Sequence, residues 1–109
     1  MSERVRFMRL MVFFDLPTET APQRREYNRF HRFLLKNGYL MLQKSVYTKL
    51  AIDGRMFGAL LSRLEANKPP EGIVQAMLVT EKQYEGIICI VGGGSTREEL
   101  ETTDGLVVL

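Results

Sequence analysis

The 109-residue sequence holds one cysteine and one histidine. No apolar run in it approaches the roughly 18 residues that a membrane span needs. Cys89 alone cannot form an intrachain disulfide and fits a reducing cytoplasm. It sits within the apolar run IICIV, 87–91, which predicts a buried structural thiol and not a nucleophile. One Cys and one His cannot form a zinc-type cluster, and they leave no plausible Ser-His-Asp set. His31 is expected to be a polar surface residue. Gly92, Gly93 and Gly94 lead into Ser95-Thr96-Arg97 where a phosphate loop would need Gly-Lys-Ser/Thr. The stretch IVQAMLVT, 73–80, lacks the aromatics on which an RNA-recognition sheet stacks bases. The first ten residues, MSERVRFMRL, have no signal-peptide core. The expectation is a soluble cytoplasmic protein without membrane contact.

Hydrophobic residues at 45% and charged residues at 26% have the balance of a globular domain, and the length suits one domain. The charges are unevenly placed. Residues 1–55 carry eleven Lys/Arg against five Asp/Glu, and residues 56–109 carry four against eight. A basic first half points to a polyanionic partner on one surface; the alternative is an ordinary solvated surface.

Alternation over 5–15 predicts a strand, with Met8, Leu10, Val12 and Phe14 on one face and Phe7, Arg9, Met11, Phe13 and Asp15 on the other. Thr20 and Gln23 form a capping-box pair, with Pro22 tolerated in the first helical turn. Gly38 after Lys36-Asn37 stops that helix, and Tyr27, Phe30 and Leu34 form its buried stripe. Residues 39–50, YLMLQKSVYTKL, read as one long strand bulged near Gln43–Ser45. Asp53 caps a second helix over 54–67, whose Phe57, Leu60, Leu61 and Leu64 face the core. Lys68-Pro69-Pro70-Glu71-Gly72 is a break. Strands follow at 73–80 and 87–91, and LVVL at 106–109 offers one more.

The pattern predicts an α+β, ferredoxin-like βαββαβ domain over 1–91. Residues 92–109 form a Gly-rich link and an additional C-terminal docking strand. Two helices cover only one face of such a sheet. Met11 and Phe13 on the other face predict a homodimer that buries it.

Two sets of residues carry chemistry. Arg25, Arg29, Arg32 and Lys36 recur at four, three and four residues on the first helix, opposite its apolar stripe, with Arg24 flanking them. That row is about 17 Å long at the helical rise and can meet successive phosphates. Only Glu26 is close enough in sequence to neutralise it. The second set is Asp15, in LMVFFDLPTET, 10–20. It is either a turn residue ending the strand or a metal ligand. Two copies meeting across a dimer axis would offer Mg²⁺ the one or two carboxylates it accepts.

The first strand ending FFDLP, the Arg-rich helix ending LLKNGY and the segment LQKSVY together resemble the CRISPR-associated protein 2 family, most closely its type II branch, over about residues 1–91. The resemblance implies a ferredoxin-like homodimer in which Asp15 of each protomer is the catalytic ligand to Mg²⁺ (or Mn²⁺), with Ser45 near the site. It implies metal-dependent endonuclease activity on RNA or DNA. It further implies a heterohexamer in which the dimer bridges the CRISPR integrase subunit and holds double-stranded DNA during spacer acquisition, with single-stranded RNA as another substrate. The C-terminal strand would dock across the dimer or on the integrase. Many members have Tyr where this chain has Phe14, which removes a hydroxyl expected beside Asp15. A toxin-like metal-dependent RNase outside CRISPR is the other reading of the same pattern.

Overall fold

A computed structural model describes residues 7–92. The first strand, β1 (Met8–Asp15), alternates as its sequence predicts. Leu10 and Val12 are fully buried and Phe14 nearly so, all on one face. Pro17 ends the strand, and α1 (Ala21–Lys36) begins at a Thr20 N-cap. Thr20 Oγ1 accepts from Gln23 N at 3.2 Å and Gln23 Oε1 accepts from Thr20 N at 3.0 Å, a complete capping box. The helix stops at Gly38, whose φ of 88° favours glycine. Tyr39 N donates to Leu34 O and Gly38 N to Leu35 O, the paired bonds of a Schellman motif. That closure seats Tyr39 in the core beside Leu34.

The segment 39–50 is not one strand. It folds into a hairpin of β2 (Leu40–Gln43) and β3 (Val46–Ala51) around a turn at Lys44–Ser45. The register shift lies between Met41 and Gln43, just before the expected bulge. α2 (Gly54–Ala66) starts at Asp53, whose Oδ1 accepts from Met56 N at 2.9 Å. Leu64 is buried and Phe57 and Leu60 pack on the core, while Leu61 is exposed. β4 (Ile73–Thr80) completes an antiparallel sheet of order β2-β3-β1-β4. This α+β arrangement is the ferredoxin-like βαββαβ order, with β1 central.

Residues 87–91 do not add a strand to that sheet. A second capping box, Thr80 with Gln83, turns the chain into the short helix α3 (Glu81–Glu85) directly after β4. Ile87, Ile88, Ile90 and Val91 are exposed, and Cys89 is half-buried and not enclosed. The expected strand at 106–109 lies outside the described residues.

The core lies between the sheet and the helices. Phe14 is its centre, 5.2 Å from Phe30, 5.5 Å from Tyr47 and 5.9 Å from Tyr27 between ring centroids. Burying such side chains contributes roughly 1.5–3 kcal/mol each. His31 is not a free surface group: it is half-buried, and its Nδ1 meets the hydroxyl of the buried Tyr47. Burial raises the Tyr47 phenol above its ordinary value, and raises Tyr39 to about 12.

On the sheet's second face, Met11 and Thr48 are buried at the centre. Around them Phe7, Leu40, Leu50, Ile73 and Met77 are exposed. At one end Arg9 holds α3 against this face. Its Nε and one Nη donate to the Glu81 carboxylate at 3.0 and 3.1 Å, and its guanidinium lies 4.3 Å over the Tyr84 ring. The Glu81 hydrogen bond raises the Arg9 pKa.

Candidate metal and nucleic-acid site

Asp15 ends the central strand, at the edge opposite the Arg9 clamp. Its side chain is exposed, and alternation puts it on the second face with Phe13 and Met11. Both neighbours of β1 approach it. On one side Asp15 pairs with Ile73 of β4. There Gly72, at φ 96°, lets the incoming loop pass so close that a Cβ would lie 2.7 Å from Asp15 O and from Leu16 Cδ2. On the other side, the register Phe13 to Val46 brings the hairpin turn alongside the strand end. Phe14 N donates to Ser45 O at 3.1 Å, so Ser45 meets β1 through its backbone one residue before Asp15.

The same turn carries Lys44, an exposed cation that the sequence reading left out of the site because it lies far from Asp15 along the chain. Reading 39–50 as one strand hid it; a hairpin folds it back. Tyr27 Oη donates to Lys44 O at 3.1 Å and ties the turn to α1.

Phe14 points away from Asp15. It is buried among Tyr27, Phe30 and Tyr47 on the helix face. A Tyr at this position would direct its hydroxyl toward the helices and not into the Asp15 surface, so the expected loss of a hydroxyl beside Asp15 does not arise.

The chain runs from Asp15 through a short loop into α1, so Asp15 and the N-terminus of α1 lie at the same end of the domain. No acidic residue occupies the first turn of α1. Arg24 Nη1 is drawn back to the carbonyls of Thr18 and Glu19, both at 3.1 Å. Arg25, Arg32 and Lys36 are exposed. Arg29 differs: its Nε donates to Glu26 Oε1 at 2.8 Å and its Nη2 to Asn67 O at 3.1 Å. The stripe therefore has three solvated cations and one that ties α1 to the end of α2.

Among the described residues, no group of three or more His, Cys, Asp or Glu could hold a metal ion. One chain offers the hard carboxylate oxygens of Asp15 on an open surface. That donor suits a cation that keeps most of its waters and needs few protein ligands. Among the described residues, no helix is long and apolar enough to cross a membrane.

The sequence is similar to those of known proteins. A relative from Treponema denticola, named CRISPR-associated endoribonuclease Cas2, is 46% identical over 94% of this chain and 100% of its own length. One of the same name from Lacticaseibacillus rhamnosus is 45% identical over 78% of this chain and 84% of its own. Another, from Campylobacter jejuni, is 30% identical over 94% of this chain and 72% of its own. The family model described as CRISPR associated protein Cas2 matches residues 8–87, from β1 past α3 and across every residue placed around Asp15. The chain belongs to the Cas2 family of CRISPR-associated proteins.

Proposed function

We propose that the protein acts in CRISPR adaptation as a two-fold dimer that binds nucleic acid and bridges the integrase during spacer acquisition. The observation that carries this reading is the position of Asp15 on the same sheet face as the exposed Ile73 and Met77. Covering those side chains with the same face of a second copy buries apolar surface and brings two Asp15 carboxylates together. Two carboxylates in close approach repel unless a cation lies between them. Asp15 of each protomer would hold Mg²⁺ or Mn²⁺ there, and a bound ion supplies a Lewis acid and an acidified water for phosphodiester hydrolysis.

The chain's own groups do the binding. Arg25 and Arg32, with Lys36 at the far end of α1, meet backbone phosphates. Lys44 adds an exposed cation on the hairpin turn that flanks the end of β1. Arg24, near the helix N-terminus, reinforces the field that draws a phosphate toward that end. Such contacts hold a duplex without reading its sequence. The names of the relatives support endoribonuclease activity and a CRISPR setting, and with it spacer handling in preference to a toxin-like role. We read hydrolysis as the lesser task, because each protomer contributes one carboxylate.

Asp15→Ala tests the division. The expected outcome is a variant that stays dimeric by light scattering, loses Mg²⁺-dependent cleavage of RNA and DNA, and still supports spacer acquisition in cells. Loss of acquisition with the dimer intact would make hydrolysis the biological task. Cleavage undiminished by the substitution would remove Asp15 from the chemistry.

A further inference from the structure

α3 stands on the sheet face that carries Asp15, at the other end of β1. Arg9, which holds it there, lies on the same face six residues before Asp15, about 20 Å away at the strand rise. A helix of five residues cannot persist on its own, and none of the five is buried. The Thr80–Gln83 box starts α3. Its seat on the sheet comes from Arg9, whose Nε and Nη2 donate to the two Glu81 oxygens at 3.0 and 3.1 Å and whose guanidinium covers the Tyr84 ring at 4.3 Å.

The exposure of β4 follows from this placement. On this face Ile73, Gln75 and Met77 are exposed, while Val79, opposite Arg9, is half-buried. A helix with its side chains is about 10–12 Å across, and packed sheets lie about 10 Å apart. Where α3 stands, it fills the space that a second sheet would need. Two copies laid face to face in full overlap would therefore collide. A two-fold axis along β1 sets α3 on α3, and an axis across the middle of β1 sets α3 on the Asp15 end of the other copy. The arrangement left open is overlap at the two Asp15 ends, with each α3 outside it.

We infer that the Arg9–Glu81 pair is a positioning device: it holds α3 as a wall that directs a second copy of this chain to the Asp15 end of the sheet. The inference rests on the dimer proposed above and adds what sets its offset. Arg9 and Glu81 are positioning residues and touch no nucleic acid.

The test places one nitroxide per chain at Thr18, exposed just beyond Asp15, through Thr18→Cys in a Cys89→Ser background. Pulsed electron resonance then measures the distance between the two labels with Mg²⁺ present, at concentrations where sedimentation finds a dimer. The expected result is one narrow distance with Arg9 and Glu81 in place. Arg9→Gln and the milder Glu81→Gln should stay dimeric but spread over several distances. Their Mg²⁺-dependent cleavage should fall by up to roughly 10²-fold, the loss that a misplacement of about 1 Å can cause. The exchanged pair Arg9→Glu, Glu81→Arg should bring the narrow distance back. A merely structural pair would lower Tm and leave the distance in the dimer unchanged, so a narrow distance retained in both single variants would overturn this inference alone. A monomeric Arg9→Gln would make Arg9 part of the contact and not its guide, and would overturn it too. No coupling between labels with Arg9 and Glu81 intact would overturn the dimer and this inference together.

Discussion

Arg29 of α1 donates to the carbonyl of Asn67, the C-cap of α2, at 3.1 Å. The unsatisfied carbonyls at a helix C-terminus carry partial negative charge, and a cation there is favourable. Arg63 of α2 reaches back to Asn37, the C-cap of α1, at 3.3 Å. The two helices therefore hold each other's ends, and Arg29 is part of the fold as much as of the basic stripe. Arg29→Ala should cost about 1 kcal/mol, which lowers Tm by roughly 4–8 °C. Arg25→Ala and Arg32→Ala should stay within about 0.5 kcal/mol of the parent. In nucleic-acid binding the order reverses. The Arg25→Ala, Arg32→Ala double variant should flatten the slope of log affinity against log salt by roughly 2 on duplex DNA. Thermal melts and fluorescence anisotropy across a salt series separate the two effects. An unchanged slope would take Arg25 and Arg32 out of the interface.

Gly72 makes the approach of β4 to Asp15 possible. At φ 96° any side chain is strained, and a Cβ would press on Asp15 O and Leu16 Cδ2 at 2.7 Å. Both obstacles belong to the end of the central strand, and one of them is backbone. Gly72→Ala should therefore lose about 1–3 kcal/mol in urea denaturation. Amide shifts should move first at Asp15 and Leu16. Substitution at Gly58, where a Cβ meets nothing within 4 Å, is the matched control and should leave stability level or slightly raised through helix propensity.

Tyr39 predicts an alkaline limit to stability. Burial raises its phenol to about 12 from an ordinary 10.0. The folded protein thus holds that proton more tightly than the unfolded chain does. The stabilisation is fully present below pH 10 and is lost as pH rises through about 12, because the unfolded chain ionises first. Tyr47 shifts in the same direction from the same cause. The loss traceable to Tyr39 is on the order of 2–3 kcal/mol. Stability measured in urea from pH 9 upward should fall, and Tyr39→Phe should make that fall shallower. A slope identical to the parent's would mean that the phenol is not desolvated.

What the sequence disclosed depended on whether the physical cause was local. The alternation of Leu10, Val12 and Phe14, the Thr20–Gln23 box, the Asp53 cap and the Gly38 stop all act within a few residues, and each is found where its spacing predicts. The hairpin was hidden because its turn at Lys44–Ser45 uses no glycine. Among the described residues, no non-glycine has a positive φ, so the Asn-Gly or Asp-Gly signature of a tight hairpin turn is absent. The run IICIV reads as a strand by composition, but Thr80 and Gln83 cap a helix just ahead of it and divert the chain. The site was legible in part. Asp15 stands out by its place after an apolar strand, while Gly72 and the Lys44–Ser45 turn come to that end of β1 only through strand pairing, and the double duty of Arg29 depends on a helix 38 residues away in sequence.

The dimer can be tested without disturbing the fold, because the proposed interface contains residues that the single chain leaves in solvent. Ile73 is 56% exposed and Met77 52% exposed, whereas Met11 beside them is 6% exposed. Met11 packs within the protomer, so a charge there would confound folding with association. Ile73→Asp and Met77→Glu place a charge where the single chain has little to lose. In a two-fold interface each charge is also duplicated, so the cost counts twice. Each variant should keep a Tm close to the parent's at protein concentrations where the parent is monomeric. Each should also sediment as a monomer where the parent is dimeric. If Mg²⁺ sits between two Asp15 side chains, both variants should lose Mg²⁺-dependent hydrolysis although Asp15 itself is unchanged. A variant that stays dimeric with a charge at Met77 would place the association on some other surface, and the pairing of Asp15 residues would fall with it.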